Sequence, residues 1–225
     1  MTLDVRRAGS RFVTVEAGRE TRHSFSFGPH YDPANLGFGL LVSHNDDLLA
    51  PGAGYPDHPH QEIEVVTWVL SGALAHQDST GSSGVLEPGQ VQVMSAGTGV
   101  VHAEFAAPGA GETRFVQTWV RPDAWGATPS YASAVADPGS GWTAVVGGDG
   151  LPVGASGATL WVSDAAAGDR LVVPEAPHAH LFVATGAARL GEVELAEGDA
   201  VRMVGQGADL RAEAPGQLML WTFDA

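Results

Sequence analysis

The sequence has 225 residues, of which 44% are hydrophobic, which is enough to bury a core in one large domain or two small ones. Its 30 glycines and 14 prolines interrupt the chain too often for long helices, so the composition favours an all-β fold with many short strands. A net charge of −15 with 11 basic residues opposes binding to nucleic acid or to an anionic membrane, and the lack of cysteine excludes disulfides and thiolate chemistry.

The N-terminal segment indicates where the protein is expected to reside. The first ten residues contain Asp4, Arg6 and Arg7 and no apolar stretch, so we expect no signal peptide. No apolar run approaches the roughly 18 residues needed to span a membrane. We therefore expect a soluble cytoplasmic protein without a membrane partner.

Short strands are predicted along the first part of the chain. Residues 11–15 alternate in polarity and predict an edge strand. In residues 23–27, histidine and phenylalanine alternate with serine, which predicts either core aromatic residues beside a structural histidine or a strand that lines part of a pocket. A further strand is predicted over residues 37–43. It is followed by a predicted turn at residues 45–47, whose acidic side chains lack the ligand spacing of a calcium loop.

Two pairs of potential metal ligands stand out in the middle of the chain. His58 and His60 form one pair, and His102 and Glu104 form the other, each with one residue between its members. In a strand, side chains two positions apart point to the same face, so each pair aims both ligands at one place. A β-patterned run at residues 65–70 and several turn signals lie between the pairs and allow the chain to double back. Three imidazoles and a carboxylate predict a site for a divalent first-row metal.

Neighbouring residues leave the complete ligand set open. Glu62 and Glu64 have the same parity as the two histidines, so spacing excludes neither of them as a ligand. Pro59 cannot donate a backbone hydrogen bond, so its strand is expected at a sheet edge or at its own beginning. His76 follows the Gly72 turn and is expected to be exposed.

The second half of the chain reads as a degraded repeat of the first. Residues 121–141 are rich in proline, glycine and alanine and predict a linker with one short ordered piece. Further strands are predicted between residues 142 and 223. His178 and His180 repeat the first ligand pair, but their distance from the following turn glycine differs, so we expect loop or strand-edge residues there and no second metal site.

Specific motifs are dense from about residue 20 to 131. They are His23-Ser-Phe-Ser-Phe27, Gly37-Phe-Gly39, His58-Pro-His60, Glu64, Thr67, His76-Gln-Asp-Ser79, Pro88-Gly89, Met94-Ser-Ala-Gly-Thr-Gly99, His102-Ala-Glu104, Trp119 and Thr128-Pro-Ser-Tyr131. These motifs closely resemble those of the pirin family of bicupins, in particular its bacterial branch. The resemblance thins over the second half, where the turn glycines and the general β pattern still match.

The resemblance implies two tandem jelly-roll-like β-barrels of the cupin superfamily. Residues 1–130 would form the barrel with the metal, and residues 131–225 a degenerate barrel without one. Carried over residue by residue, the ligands implied are His58, His60, His102 and Glu104. Glu64 matches a family position that is not a ligand, and we expect it to hold an imidazole N–H. The implied metal is Fe(II), although Mn, Co, Ni or Cu would also suit these ligands.

Bacterial members of the family are linked to quercetin 2,3-dioxygenase activity. The partners implied are a small aromatic substrate of the flavonol type and O2. The substrate would bind through its 3-hydroxyl group, deprotonated by Glu104 or through the charge of the metal, and its heterocycle would open with release of carbon monoxide. Glu104 is therefore the predicted catalytic residue.

Two alternatives remain open on the sequence. Some pirins are regarded as non-enzymatic, metal- and redox-dependent regulators that bind other proteins, and the acidic surface would permit a protein partner. A cupin dioxygenase with a different natural substrate would show the same motifs. Turnover separates the first alternative from an enzyme, because a regulator would hold its metal without consuming oxygen when a flavonol is added.

Overall fold

The computed structural model describes residues 3–224, and nearly all of its regular structure is β-strand. A short 3₁₀-helix covers Ala8–Ser10. In the first part of the chain the strands are β1 (Asp4–Arg6), β2 (Phe12–Glu16), β3 (Arg19–His23), β4 (Leu41–Leu49), β5 (Gly54–His60), β6 (Glu64–Ser71), β7 (Leu74–Asp78), β8 (Ser83–Leu86), β9 (Gln90–Ser95), β10 (Val100–Ala106), β11 (Thr113–Val120) and β12 (Ser130–Val135). In the remainder they are β13 (Thr143–Val146), β14 (Ala158–Ala165), β15 (Arg170–Val173), β16 (His178–Val183), β17 (Ala187–Leu190), β18 (Val193–Ala196), β19 (Ala200–Val204), β20 (Ala208–Ala214) and β21 (Gly216–Phe223).

These strands form two compact units. The first unit comprises Phe12–Ala136 and Leu151–Ala155, and the second comprises Asp137–Gly150, the described part of Ser156–Ala225 and the described residues before Phe12. The first unit contains a seven-stranded sheet in the order β12-β9-β6-β11-β4-β3-β2 and a four-stranded sheet in the order β5-β10-β7-β8. The second contains a six-stranded sheet, β1-β19-β16-β21-β14-β13, and a four-stranded sheet, β15-β20-β17-β18.

The architecture confirms the predicted fold class. The paired strands run antiparallel in both units, and each unit combines a larger and a smaller sheet. The fold is therefore all-β, with two jelly-roll-like units of the cupin type.

Apolar side chains fill the interior of each unit. In the first unit, Val69, Leu74 and Phe115 belong to one buried cluster, and Val65 and Met94 belong to another. A separate apolar cluster fills the second unit. β6 contributes to both of these clusters and is buried along most of its length, as its mostly apolar sequence at residues 65–70, interrupted by Thr67, implies.

The acidic stretch at residues 45–47 is not the predicted turn. These residues lie inside β4, which pairs with β3 and β11. Asp46 accepts two hydrogen bonds from the Arg114 guanidinium, both of 2.9 Å, and Asp47 accepts a 2.6 Å bond from the Thr21 hydroxyl. Because cross-strand partners satisfy the carboxylates, the stretch continues as a strand despite its turn-like composition.

The units differ from the predicted domains, residues 1–130 and 131–225, at three places. Leu151–Ala155 lies within the predicted second domain but belongs to the first unit. β1 pairs with β19, so the described N-terminal residues belong to the second unit. β12 is the short ordered piece expected in the linker, and its pairing with β9 places it in the first unit. Residues 1, 2 and 225 of the predicted domains lie outside the described residues.

Membrane insertion through helices finds no support in the described residues. Across residues 3–224, no helix has both the length and the apolar character that a bilayer crossing would require. The cytoplasmic location stays a prediction from the sequence.

Candidate metal centre

Strands β5 and β10 bring the predicted histidines together. They pair antiparallel, with His58 directly opposite His102 and His60 opposite Val100. β5 is an edge strand of the four-stranded sheet, which is the predicted position for a strand that contains Pro59. The ladder slips between His102 and Glu104, where the structure has an irregularity of the β-bulge type. Such bulges re-aim side chains and are frequent beside functional sites.

The three imidazoles form a compact group. One nitrogen from each of His58, His60 and His102 lies within 4.8 Å of the corresponding atoms of the other two. The ring centroids of His58 and His102 are 4.3 Å apart, and that of His60 lies 4.9 Å and 4.8 Å from them. Imidazole nitrogens bind a divalent metal at about 2.0–2.1 Å, so the three nitrogens are near enough to converge on one ion through small side-chain movements.

Hydrogen bonding supports a metal at this point. The Nε2 atoms of His60 and His102 are buried and have no hydrogen-bond partner among the described residues. A buried polar atom left without a partner costs free energy, and a bound cation would remove that cost. Nδ1 of His58 lies 2.9 Å from the carbonyl oxygen of Pro56, and donation there leaves its Nε2 lone pair available. These side chains therefore fit a metal.

Burial keeps two of the imidazoles neutral. Burial lowers the pKa of His60 to about 4, and the neighbouring His58 adds to this effect. Desolvation together with nearby histidines lowers the pKa of His102 to about 2. Both rings are therefore unprotonated near neutral pH, which is the form that binds metals.

Glu104 lies beside this group and is 1% exposed. One of its oxygens falls within 4.8 Å of ligand atoms of His76 and His102, so the structure groups Glu104 with these two histidines rather than with all three of the first group. Its side chain accepts hydrogen bonds from the amides of Gln92 and Gln117. Burial raises its pKa to about 7, although the two amide hydrogen bonds act in the other direction. The predicted set of three histidines and Glu104 stays a prediction.

The expectation that His76 is exposed is wrong. It is 3% exposed, because β7 pairs with β10 and places His76 directly opposite Glu104. Its Nε2 lies 3.2 Å from Asp78 Oδ2, and its Nδ1 lies 3.5 Å from Nδ1 of His102. Donation from Nε2–H to Asp78 leaves the Nδ1 lone pair facing His102. That arrangement favours a proton on Nδ1 of His102, which keeps its Nε2 free for the metal.

The two carboxylates considered as alternative ligands lie elsewhere. Glu62 has a φ of 54°, which breaks the strand alternation on which the parity argument rested, and it accepts the backbone N–H of Gly126. Glu64 accepts bonds from the Ser95 hydroxyl and the Gly154 backbone N–H. The expectation that Glu64 holds an imidazole N–H is therefore wrong, and His76 occupies that role beside His102.

A cavity of about 340 Å³ adjoins the candidate metal centre at His58. His58, Gln117 and Trp119 border it on the metal side, and the Trp119 ring stands edge-on to His60 at 4.9 Å between centroids. Phe27 also lines the cavity and contacts Trp119 edge-on at 5.2 Å. The alternating pattern of residues 23–27 predicted this wall. Both of its interpretations apply, because Phe27 lines the pocket whereas Phe25 is buried in the core.

The far side of the cavity is polar. Tyr55 donates its hydroxyl to Asp47 Oδ1 at 2.5 Å, and the Arg19 guanidinium lies over the Tyr55 ring at 4.3 Å. Burial, with the adjacent Asp47 carboxylate, raises the pKa of Tyr55 well above its usual range, so the hydroxyl stays protonated. Nothing in the spacing of Arg19, Asp47 and Tyr55 marked them as neighbours, since three separate strands supply them.

In the second unit, the histidine pair is placed differently from the prediction. His178 begins β16, and His180 is buried within it, in the interior of the six-stranded sheet. The expectation of a loop or strand-edge position is therefore wrong for His180. Both potential metal groups found among residues 3–224 belong to the first unit, and the absence of a metal from the second unit stays a prediction.

Comparison with known proteins places the chain in a family. The sequence-family model described as "Pirin" matches residues 5–120. A Mycobacterium tuberculosis H37Rv protein named "Putative quercetin 2,3-dioxygenase" is 44% identical over 234 residues, which cover 100% of this chain and 96% of that protein. An Escherichia coli K12 protein named "Quercetin 2,3-dioxygenase" is 38% identical over 127 residues, which cover 56% of this chain and 55% of that protein.

The fold comparison agrees with the sequence comparison. The crystal structure of the bacterial pirin YhhW from Escherichia coli, in complex with nickel(II), superposes with a TM-score of 0.92 at 26% identity and covers 99% of both chains. The matched family model and the similarity over the whole length show that this chain belongs to the pirin family.

Proposed function

We propose that this chain is a metal-dependent dioxygenase that cleaves a flavonol such as quercetin by 2,3-dioxygenation. The observation that carries the proposal is the convergence of the His58, His60 and His102 imidazoles beside a cavity with aromatic walls. The names of the Mycobacterium tuberculosis and Escherichia coli relatives support the same reaction class.

The proposed cofactor is one divalent transition metal in the first unit, held by His58, His60, His102 and Glu104. Neutral imidazoles with one carboxylate suit Fe(II), our first candidate, and also Mn, Co, Ni or Cu. When bound, such a metal supplies Lewis acidity and lowers the pKa of a hydroxyl group that it contacts. The nickel(II) bound by the Escherichia coli pirin supports a first-row divalent ion.

The cavity walls suit a flat aromatic substrate. Trp119 and Phe27 offer ring surfaces, and rings of this kind pack favourably in offset or edge-on geometry. At the polar side, Arg19 can donate hydrogen bonds to phenolic oxygens, and Tyr55 is held in place by Asp47. A polyphenol has both characters, with flat rings and hydroxyl groups at its periphery.

Glu104 is the proposed general base. Burial raises the pKa of Glu104 to about 7 in the metal-free protein, and the carboxylate form is the one that can accept a hydroxyl proton. The proton would pass from the 3-hydroxyl group of the flavonol to a Glu104 oxygen. The overall reaction consumes one flavonol and one O2 and yields the ring-opened ester and carbon monoxide, so it needs no further oxidant.

Oxygen uptake tests the proposal directly. Metal-loaded protein is mixed with quercetin and, in parallel, with a matched flavone that lacks the 3-hydroxyl group. We expect oxygen consumption and carbon monoxide release with quercetin and neither with the flavone. Protein that holds its metal and consumes no oxygen with a series of flavonols would contradict the proposal and favour a regulatory protein-binding role.

A further inference from the structure

Two glutamine amides hold the Glu104 carboxylate from either side. Nε2 of Gln92 donates to Oε1 at 2.8 Å, and Nε2 of Gln117 donates to Oε2 at 2.7 Å. The same two Nε2 atoms each lie 3.2 Å from the Thr67 hydroxyl oxygen. Each amide group has two N–H bonds. In both glutamines, one N–H donates to Glu104 and the other donates to Thr67.

The register of the larger sheet creates this arrangement. Gln92 on β9 lies directly opposite Thr67 on β6, and Thr67 lies directly opposite Gln117 on β11. The three side chains therefore form a row across neighbouring strands, while Glu104 comes from β10 in the other sheet. All four are buried. We call Gln92, Thr67 and Gln117 the carboxylate clamp.

Aromatic donors set the orientation of both amides. Trp119 Nε1–H donates to Oε1 of Gln117 at 3.2 Å, and the Tyr131 hydroxyl donates to Oε1 of Gln92 at 3.1 Å. An indole N–H can only donate, so it requires the amide oxygen of Gln117 on its side. The NH2 group of Gln117 must then face Glu104. A flipped amide would lose the indole bond and place its oxygen against a carboxylate oxygen.

We propose that Gln92 and Gln117 are positioning residues that hold Glu104 in the orientation in which it binds the metal. Trp119 also borders the cavity, so it links the occupant of the cavity to this carboxylate through Gln117. An aromatic ligand that displaces the indole N–H would release one arm of the clamp. The inference rests on the proposed function in one respect, because it takes Glu104 as a metal ligand.

Metal binding without turnover tests the clamp. Gln92→Met and Gln117→Met remove each amide at similar side-chain length, and Gln77→Met serves as the matched control at an exposed position on β7. Co(II) or Ni(II) is added to metal-free protein, and affinity is measured by chelator competition. We expect the two clamp variants to bind roughly 10–100-fold more weakly and to change the visible spectrum of bound Co(II), and the control to match the parent protein.

A double-mutant cycle tests the role of Trp119. Trp119→Phe keeps an aromatic ring and removes the N–H, and it should weaken Co(II) binding in the parent but have little further effect in the Gln117→Met background. Tyr131→Phe and Gln92→Met should behave in the same way. Tyr131→Phe removes only a hydroxyl group and preserves the packing, so it keeps the test decisive if a methionine variant fails to fold.

The outcomes separate this inference from the proposed function. If Glu104→Ala, which removes the oxygen donor, changes Co(II) binding and its spectrum while folded clamp variants leave both unchanged, the clamp inference is wrong and Glu104 remains a ligand. If Glu104→Ala itself changes neither, Glu104 is not a ligand, and both the clamp and the proposed ligand set fail. Additive effects of Trp119→Phe and Gln117→Met would contradict the link through Trp119.

Discussion

His58 on β5 lies directly opposite His102 on β10, with their ring centroids 4.3 Å apart. This one cross-strand pair unites the two ligand motifs, which are 44 positions apart in the sequence. His60 joins the pair because it is two residues from His58 and points to the same face. The pairing of an edge strand with its neighbour is therefore the structural basis of the metal group.

Replacing His60 with alanine should remove the metal. Its buried Nε2 has no other partner among the described residues, and the two remaining histidines hold a metal more weakly. We expect about one metal per chain in the parent protein and a severalfold to tenfold lower content in His60→Ala, measured by elemental analysis after gel filtration. Two metals per parent chain, or undiminished metal in the variant, would contradict a single site.

The histidines of β16 provide the matched control. His178→Ala, at the start of the strand, should leave metal content unchanged. His180→Ala should lower the melting temperature, because it removes a buried side chain, but should leave the metal content per folded chain unchanged. A tenfold loss of metal or of oxygenase rate in folded His178→Ala protein would show that the second unit takes part.

The substitution Glu104→Gln distinguishes two roles of Glu104, that of a metal ligand and that of a general base. The substitution keeps the shape and an oxygen donor, and three histidines remain to hold the metal. It removes the general base, which is typically worth ~10²–10⁴ in rate. We expect most of the metal to remain and most flavonol cleavage to be lost, with the largest loss at low pH, where the substrate hydroxyl is protonated. Metal content is measured alongside the rate as a function of pH.

The same experiment has an outcome that removes the catalytic role. If metal content and rate fall in strict proportion at every pH, Glu104 acts as a ligand alone. If the parent protein cleaves no flavonol, the dioxygenase proposal fails as a whole.

The metal-free protein should lose stability in acid. Burial lowers the pKa of His60 to about 4 and that of His102 to about 2, whereas both titrate near 6.5 in the unfolded chain. The unfolded state therefore binds more protons below pH 6.5, which favours unfolding. Glu104, with its pKa raised from 4.5 to about 7, opposes this loss between pH 7 and 4.5. Two histidines outweigh one carboxyl group, so the net effect is destabilising.

Urea unfolding of metal-free protein at several pH values measures this effect. The free energy of unfolding should fall from pH 6.5 towards pH 4, and the fall should continue below pH 4.5, where Glu104 no longer opposes it. In metal-free His60→Ala the slope should be smaller by about one proton. Stability that increases towards pH 5 would show that these two imidazoles do not remain neutral in the folded state.

Phe27→Ala should weaken substrate binding without affecting the metal. Phe27 lines the cavity and packs against Trp119, but it is not among the candidate ligands. We expect a severalfold to hundredfold rise in KM for the flavonol, equivalent to about 1–3 kcal/mol of lost contact, with kcat changed less. Unchanged KM with normal metal content would show that the substrate does not use this wall. Tyr31→Phe, at an exposed position, is the control.

Much of the metal group could be predicted from local spacing, because alternation in a strand depends on backbone geometry alone. His58, His60 and His102 were all identified in this way, and the structure brings them together. Parity failed at Glu62, where a positive φ interrupts the strand. Parity also did not predict that His76 is buried, because its burial depends on which strand lies beside β7.

Composition misled at the acidic stretch in β4 for a related reason. Asn45, Asp46 and Asp47 have turn-forming propensities, but Arg114 and Thr21 come from other strands and satisfy the two carboxylates. Local propensity cannot include partners that are distant in the sequence. The same limit explains why the row of Gln92, Thr67 and Gln117 was not recognised as a unit.

By itself, the amino-acid sequence determined the all-β class, the turn positions around the ligand motifs and the identity of the converging histidines. These features depend on backbone preferences and on the alternation of side chains within one strand. The tertiary structure decided the register between strands, and with it the neighbours of Glu104, the burial of His76 and the walls of the cavity. Register arises from the packing of whole sheets, so a side chain's partners depend on residues tens of positions away.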